Sequence, residues 1–217
     1  MRAVIFDFDG TIADSLAGVL AIYQRALGRT EPFTTKEVEE YRNLSLLRIA
    51  LKLGLPWYKI GILALRGQHA FKLELDKVHT FAGMAPLLRE LSQNGVKLYI
   101  ISTNLQGSIH YFLRREKLSD CIQKVYGRAF VLDKSGKIRT LMLRERLHKQ
   151  DVCYVGDEIV DIHSARRAGI AAVSVSWGYA AKSGLLAKNP DFLVDTSAQL
   201  AKTLQTMVGQ AEYSRDK

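Results

Sequence analysis

Five short apolar runs lie along the chain, each bounded by polar or turn-forming residues, and a sixth segment at 122–126 has a weaker strand pattern. Runs of this kind, which lack polar alternation, are typical of strands buried on both faces of a parallel sheet. Strands are therefore predicted at residues 3–6, 97–101, 122–126, 152–155, 171–175 and 192–194.

Helical spacing of apolar residues fills most intervals between these strands. Helices are predicted at 16–27, 34–42, 44–53, 56–78, 86–94, 109–118, 138–148, 159–168 and 198–208, with a small hairpin arm at 130–132 and a turn at 133–136. Because strands and helices alternate, we expect an α/β fold with a doubly wound, mainly parallel, Rossmann-like sheet. Residues 16–79 show helix signals and no convincing strand. They are expected to form a small all-helical domain inserted after the first strand, and residues 1–15 and 80–217 to form the core.

Composition narrows the class of protein without naming a function. The chain has 217 residues, of which 47% are hydrophobic and 24% charged, as in ordinary globular proteins. Acidic residues follow the first apolar run at once, which is unlike a signal peptide, and no apolar stretch approaches the roughly 18 residues that span a bilayer. Cys121 and Cys153 form no disulfide or metal pattern. These features predict a cytoplasmic protein.

The net charge of +9 bears on the choice of partner. A basic chain sometimes binds nucleic acid, but here the basic residues are scattered and no aromatic residues alternate with them. We therefore expect a solvated basic surface or attraction of small anionic substrates, and regard a nucleic-acid partner as unlikely.

Polar side chains follow a strand or open a helix at four places. These clusters are Asp7 with Asp9, Ser102 with Thr103 and Asn104, Lys137, and Asp157 with Asp161. Each alone has a plainer interpretation as a turn, a helix cap, a surface lysine or a partner of the helix dipole. Because the carboxyl ends of parallel strands meet at one edge of a sheet, however, the clusters are expected to lie together there.

The pair Asp7 and Asp9 is the most informative of these clusters. Two carboxylates one residue apart repel each other, and desolvation at a strand end is costly for both. A bound cation would relieve both penalties. Gly10 allows the chain to turn away sharply behind them.

The four clusters resemble the motifs of the haloacid dehalogenase (HAD) superfamily. The resemblance rests on the segments 7–15 (Asp-Phe-Asp-Gly-Thr-Ile-Ala-Asp-Ser), 102–104 (Ser-Thr-Asn), Lys137, and 156–161 (Gly-Asp-Glu-Ile-Val-Asp), which occur in the family's order. The segment 81–86 also resembles the return from a helical cap into the core. The chain is most similar to the phosphoglycolate phosphatase-like branch, whose helical cap corresponds in position and size to residues 16–79.

The resemblance implies a role for each motif residue. Asp7 is expected to be the nucleophile that forms an aspartyl-phosphate, and Asp9 the proton donor and acceptor. Ser102 and the backbone N–H groups near Thr103 and Asn104 are expected to bind the phosphoryl group. Lys137 is expected to neutralise it, since Lys137 is predicted to open a helix directly after Gly136. Lys134 is the alternative.

The same resemblance implies a Mg²⁺ cofactor. Asp7, Asp157 and the main-chain oxygen of Asp9 are the expected ligands, because Mg²⁺ prefers oxygen donors. Asp161 is expected to orient the lysine or a metal-bound water, and Glu158 to support the site.

The presence of Asp9 favours a phosphate ester as substrate, because branches that do not protonate a leaving group lack this acid. A phosphatase for a small phosphomonoester, of the phosphoglycolate or sugar phosphate type, is the leading hypothesis. A β-phosphoglucomutase-like phosphosugar mutase and a non-catalytic binding module are the alternatives. Arg42 in the cap is a candidate for substrate binding, with a solvated arginine equally expected. Monomer and homodimer both remain open.

Overall fold

Six strands form one sheet in the computed structural model, which describes residues 1–26, 28–41, 51–54, 75–128 and 133–213. The strands are β1 (Ala3–Phe6), β2 (Lys97–Ile101), β3 (Ile122–Tyr126), β4 (Val152–Gly156), β5 (Ala171–Val175) and β6 (Phe192–Val194). Their order is β3-β2-β1-β4-β5-β6, and every pairing is parallel. The predicted doubly wound sheet is confirmed, with β4 one residue longer than expected.

Alternate residues of each strand face two separate hydrophobic cores. Val4 and Phe6 of β1 contribute to one core, and Ala3 and Ile5 contribute to the other. Both faces of the central strands are therefore buried, which explains why the strands appear in the sequence as uninterrupted apolar runs.

Helices cover both faces of this sheet. They are α1 (Leu16–Ala26), α2 (Thr35–Tyr41), α3 (Met84–Gln93), α4 (Gln106–Arg115), α5 (Ser135–Glu145), α6 (Ile159–Ala168), α7 (Lys182–Leu186) and α8 (Ser197–Tyr213), with short 3-10 turns at Leu75–Lys77, Ser119–Cys121 and Lys149–Asp151. Helices α3, α4 and α8 bury side chains in the first core, and α5, α6 and α7 in the second. Within the described segments, no helix combines the length and apolar content needed to cross a bilayer.

Helix α5 begins three residues before the predicted start at residue 138. The Asp133 carboxylate accepts the backbone N–H of Ser135 at 2.8 Å and the Ser135 hydroxyl at 3.0 Å. This local cap starts the helix at Ser135, so the predicted turn over 133–136 is wrong. The predicted hairpin arm at 130–132 lies outside the described residues.

The described part of the predicted insert is helical. Helix α2 begins with the expected capping box, in which the Thr34 N–H donates to Glu37 at 2.7 Å and the Glu37 N–H donates to Thr34 Oγ1 at 3.3 Å. The chain leaves and re-enters the α/β part side by side, through an antiparallel bridge between Ala13 and Thr80. The predicted helices at 44–53 and 56–78 fall mostly outside the described residues, as does Arg42. The domain boundaries therefore stay a prediction.

Candidate active site

The loops that follow β1, β2 and β4 lie side by side at the carboxyl edge of the sheet. Strand β1 pairs with β2 on one side and with β4 on the other, and Phe6 is in register with both Ile100 and Val155. The strand order changes direction between β1 and β4, the usual position of a ligand site in sheets of this type. Asp7 and Asp157 are thereby brought together although 150 residues separate them.

Three buried carboxylates form the centre of this edge. Ligand oxygens of Asp7, Asp157 and Asp161 all lie within 4.8 Å of one another, and none of the three residues is more than 4% exposed. Burial raises the pKa of Asp7 to about 8, against the opposing effect of Lys134. Burial, followed by repulsion from Glu158 and Asp7, raises the pKa of Asp157 well above its ordinary value. Burial therefore disfavours the charged forms of Asp7 and Asp157 unless further positive charge is placed beside them.

Lys134 is the cation placed against these carboxylates. Its Nζ lies 2.6 Å from Asp7 Oδ2 and 2.8 Å from Asp161 Oδ1, and its side chain is 1% exposed. Burial alone would lower the pKa of Lys134, but attraction to Asp161 and Asp7 raises it well above the usual value. The ammonium group is therefore held charged beside Asp7.

The structure does not bring Lys137 to this position, which corrects the expected choice of lysine. Lys137 Nζ donates to the carbonyl of Gly127, and burial lowers its pKa. The early start of α5 explains the difference, because it places Lys134 rather than Lys137 at the beginning of the helix. In addition, the Lys134 N–H donates to Ser164 Oγ at 2.9 Å, which ties this residue to α6.

Asp157 is fixed from both sides. It accepts a hydrogen bond from Thr11 Oγ1 at 2.7 Å and another from the Tyr179 N–H at 2.7 Å. Two glycines press against its side chain: a Cβ added at Gly10 would lie 2.2 Å from Asp157 Oδ2, and one at Gly178 would lie 2.3 Å from Asp157 Cβ. The site thus requires both glycines for close approach, and Gly10 also for its positive φ of 77°.

Asp9 lies apart from the three clustered carboxylates. Its Oδ1 accepts the Ser15 hydroxyl at 2.9 Å and its Oδ2 accepts the Asn104 amide at 3.1 Å. Burial raises the pKa of Asp9, and the hydrogen bonds from Ser15 and Asn104 oppose that shift. A carboxyl group of this kind is suited to hold and release a proton. A role of its main-chain oxygen in metal binding stays a prediction.

The loop after β2 presents hydrogen-bond donors beside Asp9. Ser102 is buried, and its Oγ accepts the Asn104 N–H at 3.0 Å. Because Oγ is the acceptor in that bond, the hydroxyl proton can be directed to a bound anion. Thr103 and Asn104 are half-buried on the same turn. These three residues therefore lie where the sequence predicts them.

Asp161 and Glu158 form a capping box at the start of α6. The Glu158 N–H donates to Asp161 Oδ2 at 3.0 Å, so Asp161 uses one oxygen for the cap and the other for Lys134. A Cβ added at Gly156 would lie 2.4 Å from Asp161 Oδ2, so a larger residue there would displace the carboxylate. Burial raises the pKa of Glu158 to about 7, and Asp161 adds to the shift. Asp161 thus contacts Lys134 instead of Lys137, and its role in orienting the lysine stays a prediction.

The donor set of this cluster fits Mg²⁺. Three buried carboxylates offer hard oxygen ligands, and burial with mutual repulsion makes it costly to keep Asp7 and Asp157 charged. A divalent cation would lower that cost, and Mg²⁺ is bound in proteins chiefly through such carboxylates.

The close contact of Gly178 with Asp157 predicts a specific loss of metal affinity. We expect Gly178→Ala to weaken Mg²⁺ binding about tenfold or more in calorimetric titrations, because the new methyl group displaces a carboxylate of the cluster. Gly136→Ala is the matched control, since a Cβ there meets nothing within 4 Å. Equal affinity of both variants would show that Asp157 does not hold the ion.

Comparison with known proteins shows the family of this chain. A family model described as haloacid dehalogenase-like hydrolase matches residues 4–175. The chain belongs to this family. The family expected from the motifs is thus confirmed, as is the expected class of enzyme, a hydrolase of the HAD type.

Individual HAD relatives match nearly the whole chain. A phosphoglycolate phosphatase from Synechococcus elongatus is 34% identical over 214 residues, which cover 97% of this chain and 100% of the relative. Pyrophosphatase PpaX from Oceanobacillus iheyensis is 22% identical over 215 residues, with 97% and 98% covered. The structure of a HAD-like hydrolase from Streptococcus pneumoniae has a TM-score of 0.78 at 20% identity, with 94% and 98% covered. The last comparison supports the fold alone.

Three residues of this HAD site were given no role by sequence reasoning. Thr11 and Ser15 belong to the first motif, yet only the structure shows that they bind Asp157 and Asp9. Tyr179 lies in the loop after β5, where no polar cluster was expected. The rule that strand ends meet at one edge applies to β5 as well, so the segment 177–179 after that strand was the available signal.

Proposed function

We propose that this hydrolase is a Mg²⁺-dependent phosphatase that cleaves a small-molecule phosphomonoester through an aspartyl-phosphate at Asp7. The observation that carries the proposal is the separation of two carboxylates: Asp7 contacts Lys134 among buried acids, and Asp9 is held apart by Ser15 and Asn104. Asp7, beside a cation, is proposed as the nucleophile, and Asp9 as the proton carrier. A relative named phosphoglycolate phosphatase and another named pyrophosphatase support the phosphatase part of the proposal.

In the proposed first step, an Asp7 carboxylate oxygen attacks phosphorus. The bond between phosphorus and the ester oxygen breaks, and that oxygen takes a proton from Asp9 as it leaves. In the second step, Asp9 accepts a proton from water, and the water oxygen attacks phosphorus. The bond between phosphorus and Asp7 then breaks, which releases inorganic phosphate and restores the enzyme.

Binding and charge neutralisation fall to the surrounding groups. The Ser102 hydroxyl and the backbone N–H groups near Thr103 and Asn104 are proposed to bind the phosphoryl oxygens. Lys134 is proposed to offset their charge, and Asp161 keeps it in place through the 2.8 Å contact. Neutralisation of the phosphoryl charge is thus proposed for Lys134 instead of Lys137.

Asp7, Asp157 and the main-chain oxygen of Asp9 are the proposed Mg²⁺ ligands. When bound, the ion would neutralise charge on the phosphoryl group and on the acidic cluster. Thr11 and Tyr179 hold Asp157 in place for this task through their hydrogen bonds.

The proposed substrates are small anions of the phosphoglycolate or sugar phosphate type. A relative that is 34% identical carries the name phosphoglycolate phosphatase. The net charge of +9 favours the approach of anions. Selection among them is proposed to depend on the helical segment 16–79, with Arg42 as a candidate.

Metal removal tests the proposal directly. We expect phosphate release from phosphoglycolate and from p-nitrophenyl phosphate in the presence of Mg²⁺. EDTA should reduce the rate by about 10²-fold or more, since the ion provides several kcal/mol of charge stabilisation. Excess Mg²⁺ should restore the rate. Full activity in EDTA would contradict the metal dependence, and isomerisation of β-glucose 1-phosphate without net phosphate release would indicate the mutase.

A further inference from the structure

Tyr179 is a buried residue of the active-site edge, and the proposed mechanism uses its backbone N–H but not its side-chain hydroxyl. It lies between β5 and α7 and is 6% exposed. Its hydroxyl lies 2.7 Å from Ser15 Oγ, and Ser15 is completely buried. The tyrosine therefore reaches from the far loop to the first motif.

The donor of one hydrogen bond fixes the direction of the next. The Ser15 hydroxyl donates to Asp9 Oδ1 at 2.9 Å. The single Ser15 proton is then used, and the Tyr179 hydroxyl must be the donor to Ser15. The result is a directed chain from Tyr179 through Ser15 to Asp9.

Asp9 is thereby held at both oxygens. Asn104 donates to Oδ2 at 3.1 Å from one side, and the chain through Ser15 ends at Oδ1 on the other. Two fixed donors restrict rotation of the carboxyl group, as supporting hydrogen bonds do in other functional sites. Tyr179 is the outermost link of this support and also donates its backbone N–H to Asp157 at 2.7 Å.

We propose that Tyr179 is a positioning residue whose hydroxyl, acting through Ser15, holds the Asp9 carboxyl group in the orientation for proton transfer to the leaving group. The proposal rests on the proposed function, in which Asp9 moves that proton. A residue with this task affects the transfer of a proton and leaves the binding of the phosphoryl group unchanged.

The leaving group therefore provides the diagnostic measurement. An alkoxide, as from phosphoglycolate, needs protonation as it departs, whereas p-nitrophenolate is stable without it. We expect Tyr179→Phe to lower kcat/KM for phosphoglycolate by about 10- to 100-fold, the usual cost of removing a supporting hydrogen bond. For p-nitrophenyl phosphate we expect a loss of about threefold or less, because a general acid contributes little when the leaving group is already stable. KM for both esters should change little.

Tyr99→Phe is the matched control for loss of a tyrosine hydroxyl. Tyr99 is buried in β2, and its hydroxyl donates to Glu145 at 3.0 Å, away from the acidic cluster. The ratio of kcat/KM for the two esters should stay at the wild-type value in this variant. A cooperative thermal unfolding transition is expected for both variants and serves to check that they fold.

A double-mutant cycle tests the chain itself. Ser15→Ala breaks the chain at its middle link, so adding Tyr179→Phe to it should cause little further loss. Additive losses, or equal losses for both esters in Tyr179→Phe, would overturn the positioning role. The Asp9→Asn variant separates failure of the positioning role from failure of the proposed function. If Asp9→Asn leaves phosphoglycolate turnover unchanged, the proposed function fails, regardless of the result for Tyr179→Phe.

Discussion

Asp7→Asn is expected to lower kcat for phosphate release by about 10⁴-fold or more, as removal of a nucleophile does in other covalent mechanisms. The side-chain amide of asparagine is a poor nucleophile and does not form the acyl phosphate that aspartate forms. The substitution also removes one anionic ligand from the proposed metal site. The measurement is release of inorganic phosphate from p-nitrophenyl phosphate and phosphoglycolate at saturating Mg²⁺.

The same variant is expected to fold normally. Asparagine has the shape of aspartate, and its one side-chain oxygen can accept either from the Lys134 ammonium or from the Phe8 N–H, both of which Asp7 contacts. Lys134 keeps its contact with Asp161 at 2.8 Å. Because one charge is removed from three crowded carboxylates, the midpoint of thermal unfolding in EDTA should not fall. A loss of activity therefore reports on chemistry.

Asp195→Asn is the control for the same change of charge elsewhere. Asp195 is exposed and accepts hydrogen bonds from Ser176 and Lys182, outside the acidic cluster. The kcat of Asp195→Asn should match that of the wild type within about twofold, as for most surface substitutions. Acid-quenched wild-type enzyme should carry a phosphoryl group on Asp7. Wild-type turnover by Asp7→Asn, or a phosphoryl group trapped on another residue, would contradict the role of Asp7 as the nucleophile.

The strands and the acidic residues of the site were predictable for one physical reason. A parallel strand that is buried on both faces must be apolar throughout, so its end is marked where the first polar residue appears. Asp7, Ser102 and Asp157 mark three such ends, and strand pairing makes them neighbours. The bounds of β1, β2 and β5 agree with the prediction for the same reason, and those of the edge strands β3 and β6 agree although these strands are partly exposed.

The position of the lysine was not predictable in this way. Lys134 and Lys137 are chemically identical, and the choice depended on where α5 begins. The glycine before Lys137 suggested a later start, but Asp133 caps Ser135 and moves the start forward. In the folded chain, Lys134 contacts Asp7 and Asp161, which come from distant parts of the sequence. Tyr179 was missed similarly, because its partner Ser15 is remote in sequence.

The second test with a large expected effect compares the Lys134→Met variant with the Lys137→Met variant. Methionine keeps much of the apolar stem of lysine and removes the charge. At position 134 we expect kcat to fall by about 10³-fold, because a preorganised charge beside the phosphoryl site is lost. The free energy of unfolding in EDTA should fall by about 3 kcal/mol, since buried Asp7 and Asp161 lose their cationic partner.

The Lys137→Met variant makes this comparison decisive. Within the described residues, the hydrogen-bond partner of the Lys137 ammonium is the backbone carbonyl of Gly127. Loss of that bond should cost about 1 kcal/mol of stability, with kcat within about twofold of the wild type. Added Mg²⁺ should recover part of the stability of Lys134→Met, because the ion and the lysine neutralise the same carboxylates, and should not recover its kcat. If the two variants show the opposite order of activity, the phosphoryl group is neutralised by the lysine that the sequence first suggested, and Lys134 serves only to balance buried charge.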